Sequence, residues 1–160
     1  RPDGTVAVDA HHRVLGATGP LPHVVAVGDL ATRRSARHGW VPGGHWDAAL
    51  RGPTTAVRTL LDPGSCATSV PPDPAPYVFS TQLGHHVTCY GLPSPEHEVV
   101  LRGDPTGAFT ALWFTADDAL SAVLTVDRPR DVAAARRLFT GPDLPRVPRG
   151  DVTDPDVPLR

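Results

Sequence analysis

The chain contains no methionine, lysine, isoleucine or asparagine. All four depend on AT-rich codons, so their joint absence points to a GC-rich genome and a bacterial source. A chain without methionine that opens on Arg1-Pro2 is expected to be a piece of a longer protein. Arginine supplies every one of the 15 cationic side chains, against 17 acids, and the net charge of −2 excludes a general nucleic-acid binder. There are only two cysteines, Cys66 and Cys89, with neither a Cys-x-x-Cys nor a zinc-like spacing. A redox-active disulfide and a structural zinc site are thereby excluded, and two free thiols are expected. No apolar run approaches the length of a membrane span, so no membrane partner is expected, and no signal peptide is visible; a cytoplasmic setting is expected. No Gly-x-Gly-x-x-Gly is present, so a complete dinucleotide pyrophosphate site is not encoded here. There is no internal repeat.

What is abundant is proline, at 19, and glycine, at 15, which implies many short elements with frequent breaks. Residues 5–9 alternate like a short strand, 16–22 read as a turn-rich loop, and Val24-Val25-Ala26-Val27 reads as a buried strand. Residues 31–44 read as a loop with a basic cluster, Arg33, Arg34, Arg37 and His38. That cluster is either a docking patch for an acidic partner or a solvated loop. A helix is expected from about His45 to Leu61, with Ala49, Ala56, Val57, Leu60 and Leu61 on its apolar side and a kink or restart at Gly52-Pro53. Residues 62–76 carry too many prolines for a helix or a central strand and read as a semi-rigid connector. Beyond it the period changes to two, with candidate strands over 77–82, 87–92 and 99–103. The clearest hairpin joins 108–115 to 120–127, with Phe109 and Trp113 read as its core. A helix over about 129–140 follows, with Val132, Ala135, Leu138 and Phe139 as its apolar stripe, Asp131 in its first turn and Arg136 and Arg137 near its end. Residues 143–160 are proline-broken and expected on the surface. The histidine pairs His11-His12 and His85-His86 are sequence neighbours, which point to opposite faces of a strand, and no metal site is expected.

The chemistry concentrates at Gly28-Asp29. After an apolar run, Gly28 lets backbone approach a ligand and Asp29 offers an acceptor-only carboxylate suited to a sugar-alcohol hydroxyl. Further on, Gly43-Gly44-His45-Trp46-Asp47-Ala48 reads as a glycine turn opening a helix. The series Thr18 through Asp29, His45-Trp46-Asp47-Ala48-Ala49-Leu50, Pro76-Tyr77-Val78-Phe79-Ser80-Thr81-Gln82, Leu101-Arg102-Gly103-Asp104, Val126-Asp127-Arg128-Pro129 and Val152-Thr153-Asp154-Pro155 covers nearly the whole chain. Its order resembles the C-terminal portion of the FAD-dependent, NAD(P)H-oxidising ferredoxin reductases that serve bacterial oxygenases and cytochromes P450. In this chain Phe79 stands where many of those reductases carry Trp, and Gly44 where they carry Glu.

The resemblance implies an α/β fragment: residues 1–62 hold the last strand and helix of an FAD-binding domain, 63–76 a proline-rich linker, and 77–160 an α+β C-terminal domain with an antiparallel sheet. It implies five cofactor-binding residues, Gly28, Asp29, His45, Trp46 and Phe79. Asp29 would accept a hydrogen bond from the ribityl chain, the Trp46 amide would donate to the pyrimidine edge, and Phe79 would lie in the strand covering the isoalloxazine. No residue is expected to act as acid, base or nucleophile. The implied parent passes electrons from NAD(P)H through FAD to a ferredoxin-type iron–sulfur protein, with a homodimer left open. The alternatives are a non-catalytic dimerisation or docking module, and a related flavin reductase serving a rubredoxin or a quinone.

Overall fold

The computed structural model describes all 160 residues, which divide into two compact units, Arg1–Asp73 and Pro74–Arg160. The first unit is built on a five-stranded sheet in the order β3-β2-β1-β4-β5. Its strands are β1 (Val6–Val8), β2 (Arg13–Gly16), β3 (Gly19–Val25), β4 (Ala31–Ser35) and β5 (Gly39–Pro42). β1 and β4 run parallel, with Val6 opposite Ala31 and Val8 opposite Arg33, and every other pair is antiparallel. Val8, Ala26 and Ala31 form its small apolar core, with Val6 and Val14 packed against them.

Several expectations are corrected here. Residues 16–22 are not a loop but the turn and start of the β2–β3 hairpin. The strand assigned to Val24–Val27 begins at Gly19, ends at Val25 and lies at the sheet edge, with Val24 48% exposed. An edge strand tolerates Pro20 and Pro22, which have no amide to offer the ladder. Residues 31–44 are likewise not a loop but the β4–β5 hairpin. Two of its buried positions, Thr32 and Ser35, are polar, which hides the strand pattern. The buried Thr32 hydroxyl meets that of Thr5 at 2.7 Å, and the buried Ser35 hydroxyl donates to Asp73 at 2.8 Å.

Helix α1 (Trp46–Leu61) runs without interruption through Pro53. Gly52 has no Cβ for the proline ring to strike, which eases the restriction that a proline places on the residue before it. The face turned inward is Gly52, Ala56 and Thr59 rather than the expected leucines. It packs on the His11-His12 turn: a side chain at Gly52 would start 3.1 Å from the His12 ring, and the Thr59 hydroxyl donates to the His11 carbonyl at 2.9 Å. Trp46, Leu50, Val57, Leu60 and Leu61 therefore face outward. The connector begins with a 3-10 turn, Pro63–Ala67. It is then pinned at Asp73, whose carboxylate accepts from Arg33 at 2.9 Å, Ser35 at 2.8 Å and the Ala36 amide at 3.0 Å. Arg37 donates to the Asp73 carbonyl at 2.8 Å, and Arg34 lies over Trp40. The basic cluster is thus not a solvated loop: Arg33 and Arg37 hold the connector.

The second unit is one antiparallel sheet in the order β6-β7-β10-β9-β8. It comprises β6 (Tyr77–Gln82), β7 (His85–Gly91), β8 (Glu98–Gly103), β9 (Phe109–Phe114) and β10 (Leu120–Val126). The expected β9–β10 hairpin is present, with Ala111 opposite Leu124 and Leu112 opposite Val123. Helix α2 (Pro129–Leu138) covers the face that carries Leu112, Phe114 and Val123, and contributes Ala134, Ala135 and the following Phe139 to the core. Phe109 and Trp113 lie on the other face, half-buried, so the hairpin's core is Leu112 and Phe114.

One cation organises this unit. Arg102 of β8 is 2% exposed and its Nε donates to Asp131 of α2 at 3.1 Å. Its other nitrogens donate to four carbonyls of the C-terminal segment, those of Val152, Asp154, Pro155 and Val157. The same Asp131 oxygen also accepts from Thr110 at 2.7 Å and Arg128 at 3.3 Å. Burial pushes the Asp131 carboxyl up, but the Thr110 hydroxyl and Arg102 outweigh it and hold it below the ordinary carboxylate range. Replacing Arg102 by Met leaves Asp131 and the four carbonyls short of a donor. Breaking a buried pair in this way is expected to cost roughly 3–5 kcal/mol. Urea unfolding should show that loss, and limited proteolysis should cut within residues 150–160 first. A loss under about 1 kcal/mol would mean that Val147, Val152 and Leu159 hold the segment by packing alone.

Candidate cofactor-binding site

Beyond β3, residues Gly28–Leu30 form a 3-10 turn that leads into β4. Gly28 adopts φ +69, a left-handed conformation that a side chain would strain. The turn lies against the start of α1, with the Gly28 Cα position facing the Ala49 side chain. The contact is made tight by Gly43. A Cβ there would sit 2.3 Å from the Gly28 carbonyl oxygen and 2.9 Å from the Asp29 Cα. The Gly43 amide donates to the Ala31 carbonyl at 2.9 Å, which closes the two loops on each other. In the sequence Gly43 reads only as part of a turn opening the helix: the Gly43-Gly44 doublet is a signal for the turn but not for a backbone contact.

Asp29, Gly28, His45 and Trp46 are therefore brought together in the first unit. Asp29 is exposed and close enough to the His45 imidazole to act on it electrostatically. His45 is the N-cap of α1, and its Nδ1 accepts the Ala48 amide at 3.2 Å. Its Nε2 is enclosed and has no hydrogen-bond partner within the chain. Asp47 is buried in the first turn, where a negative charge suits the helix dipole, and Arg51 pairs with it at 2.7 Å. Trp46 is 64% exposed and Leu50, one turn on, is 58% exposed, so an apolar surface flanks the helix start. Phe79 belongs to the second unit. It stands half-exposed on β6, 5.5 Å from the Tyr77 ring, which stacks in turn on Tyr90.

A loop held by a positive-φ glycine, an exposed carboxylate, a capped helix N-terminus and an unspent imidazole N–H suit a ligand that offers hydroxyl groups and an electron-rich ring edge. Neither cysteine adds thiol chemistry. Both are free, and burial pushes the Cys89 thiol up to about 11, which keeps it protonated.

Gly43→Ala should separate the Gly28–Asp29 turn from α1, because its nearest neighbours are backbone atoms that cannot turn aside. The expected cost is roughly 1–3 kcal/mol, read by urea unfolding followed through tryptophan emission. Gly44→Ala is the control: it meets open space and strains only its φ of +93. The close-contact argument predicts that Gly43→Ala alone changes the amide chemical shifts of Gly28 and Asp29. Equal shifts in the two variants would defeat it.

The reductase C-terminal family model matches residues 77–160, more than half of the chain. The anthranilate 1,2-dioxygenase system ferredoxin–NAD(+) reductase component of Burkholderia cepacia is 29% identical over 116 residues, which cover 72% of this chain and 27% of that protein. Among solved structures, the crystal structure of Fdr9 superposes with a TM-score of 0.74 at 34% identity, over 97% of this chain and 38% of that one. The crystal structure of the covalent putidaredoxin reductase–putidaredoxin complex gives a TM-score of 0.74 at 25% identity, over 96% of this chain and 34% of that one. The chain thus spans between about a quarter and two fifths of the length of these relatives. It belongs to the reductase C-terminal family and corresponds to the C-terminal portion of ferredoxin reductases.

Proposed function

We propose that this chain is the part of an FAD-dependent NAD(P)H:ferredoxin reductase that binds the ribityl chain and pyrimidine edge of the flavin. One observation carries the reading: the Gly28–Asp29 turn is held against the N-terminus of α1 by the Gly43 contact. Asp29 accepts from a flavin hydroxyl, and the first turn of α1 turns its amides and its positive dipole end to the pyrimidine edge. FAD supplies the chemistry that takes two electrons from NAD(P)H as a hydride and releases them singly. This chain's own residues bind, orient and bias electrostatically. No side chain is assigned a proton-transfer role.

His45 and Trp46 frame the helix start, and Trp46 adds an apolar surface beside it. Phe79, on the edge strand of the second unit, is proposed to shield the flavin ring. The acceptor is proposed to be a ferredoxin-type iron–sulfur protein, because the matched relatives are described as ferredoxin reductases and as a complex with putidaredoxin. Two such one-electron acceptors balance one NAD(P)H. The complete reductase is proposed to act in the cytoplasm; no helix of this chain is long and apolar enough to cross a membrane.

In the complete reductase, Asp29→Ala removes a charged acceptor from a ligand hydroxyl, a loss worth roughly 1.5–3 kcal/mol. FAD affinity should fall by about ten- to a hundredfold, as measured by flavin fluorescence titration. Trp46→Ala should do less, since its proposed contact is through the backbone. Undiminished FAD affinity in Asp29→Ala would remove the flavin site from this loop and favour a docking module without cofactor.

A further inference from the structure

We infer that His45 is a pH-operated positioning residue: its neutral imidazole caps α1 at the flavin site, and its protonation releases the cap and weakens flavin binding. This rests on the flavin reading above for its ligand, but not for the cap itself.

Helix caps are usually Ser, Thr, Asp or Asn, whose acceptor oxygen does not change between about pH 5 and 8. Here the acceptor is an imidazole nitrogen. Because Nδ1 accepts the Ala48 amide, it carries no proton, and the ring's single N–H is on Nε2. Protonation puts hydrogen on both nitrogens and leaves no acceptor, so the Ala48 amide would face another N–H. The added charge also lies at the positive end of the helix dipole, where a cation is disfavoured. Both effects act on the first turn, the segment that Gly43 joins to the Gly28–Asp29 turn.

The groups facing the ring are on three elements: Asp47 on α1 itself, Asp29 in the turn after β3, and Arg33 on β4. Burial acts first and holds His45 below its ordinary value of 6.5, and Arg33 adds to it. Asp47 and Asp29 pull the other way without reversing the direction. The folded state with the cap intact therefore binds its proton less readily than an uncapped state. The cap's contribution is complete above 6.5 and is lost as pH falls from there. His12 and His38 of the same unit are also held below 6.5 by burial, so a global stability curve mixes all three.

The cap is read at Ala48. In the isotope-labelled 160-residue chain, the Ala48 amide signal should move with the same midpoint as the His45 ring on acidification. In the complete reductase, FAD affinity should fall by about three- to tenfold as the pH is lowered through the His45 titration, which lies below 6.5. His45→Asn keeps a cap that does not titrate, so, whatever its affinity at neutral pH, it should lose that part of the acid dependence. His45→Ala should bind FAD more weakly than the parent at neutral pH, and the difference should close as acid releases the parent's own cap. An Ala48 amide that ignores the His45 titration, or a His45→Asn variant with the parental acid dependence, would overturn the inference. An Ala48 amide that follows His45 in a reductase that binds no FAD at any pH would confirm the cap and overturn the flavin reading instead.

Discussion

The first unit turns on a place where two backbones meet with no room for a methyl group. Gly43 touches the carbonyl of Gly28 and the Cα of Asp29, and everything proposed for function is arranged around that contact. The inward face of α1 is small where the helix closes on the His11-His12 turn: Gly52, Ala56 and Thr59 point there, and the larger apolar residues go outward. Asp29 is not held at the site by its own bonds. It is carried there by the turn, and the turn is held by glycine.

The second unit solves a different problem by different means. Its C-terminal segment is broken by proline and forms little regular structure, so its carbonyls need donors from elsewhere. Arg102 supplies them from within the sheet, and Asp131 balances its charge from α2. Sheet, helix and segment therefore meet at one guanidinium, whose planar fork can serve several acceptors at once. Lysine at that position would carry the charge but not the geometry.

The second unit was legible in the sequence because its strands alternate cleanly. Phe109 to Phe114 and Leu120 to Val126 place apolar side chains every second residue, and the structure pairs Ala122–Val126 with Phe109–Trp113, with a register shift between Leu120 and Ala122. What periodicity could not decide was which face is the core: it is the face of Leu112 and Phe114, not that of Trp113. The first unit was less legible for a physical reason. β3 contains two prolines, and β4 is satisfied by hydrogen bonds to Thr5 and Asp73, the latter far along the chain. Polar residues whose partners are that remote look like a loop. The Gly28–Asp29 motif and the start of α1 were visible from residue order, whereas the histidine cap was not, because rules for helix starts look for oxygen acceptors.

The outward stripe of α1 has a practical side. Trp46, Leu50, Val57 and Leu61 recur at helical spacing and present half of a packing seam to water. Mutational scans of these four positions will therefore mislead if they are scored as ordinary surface sites. Polar replacements there will improve the colloidal behaviour of this chain while removing whatever grip the stripe has on a neighbour. On the chain by itself the stripe is a continuous apolar surface, added to isolated exposed residues such as Val70 and Leu83.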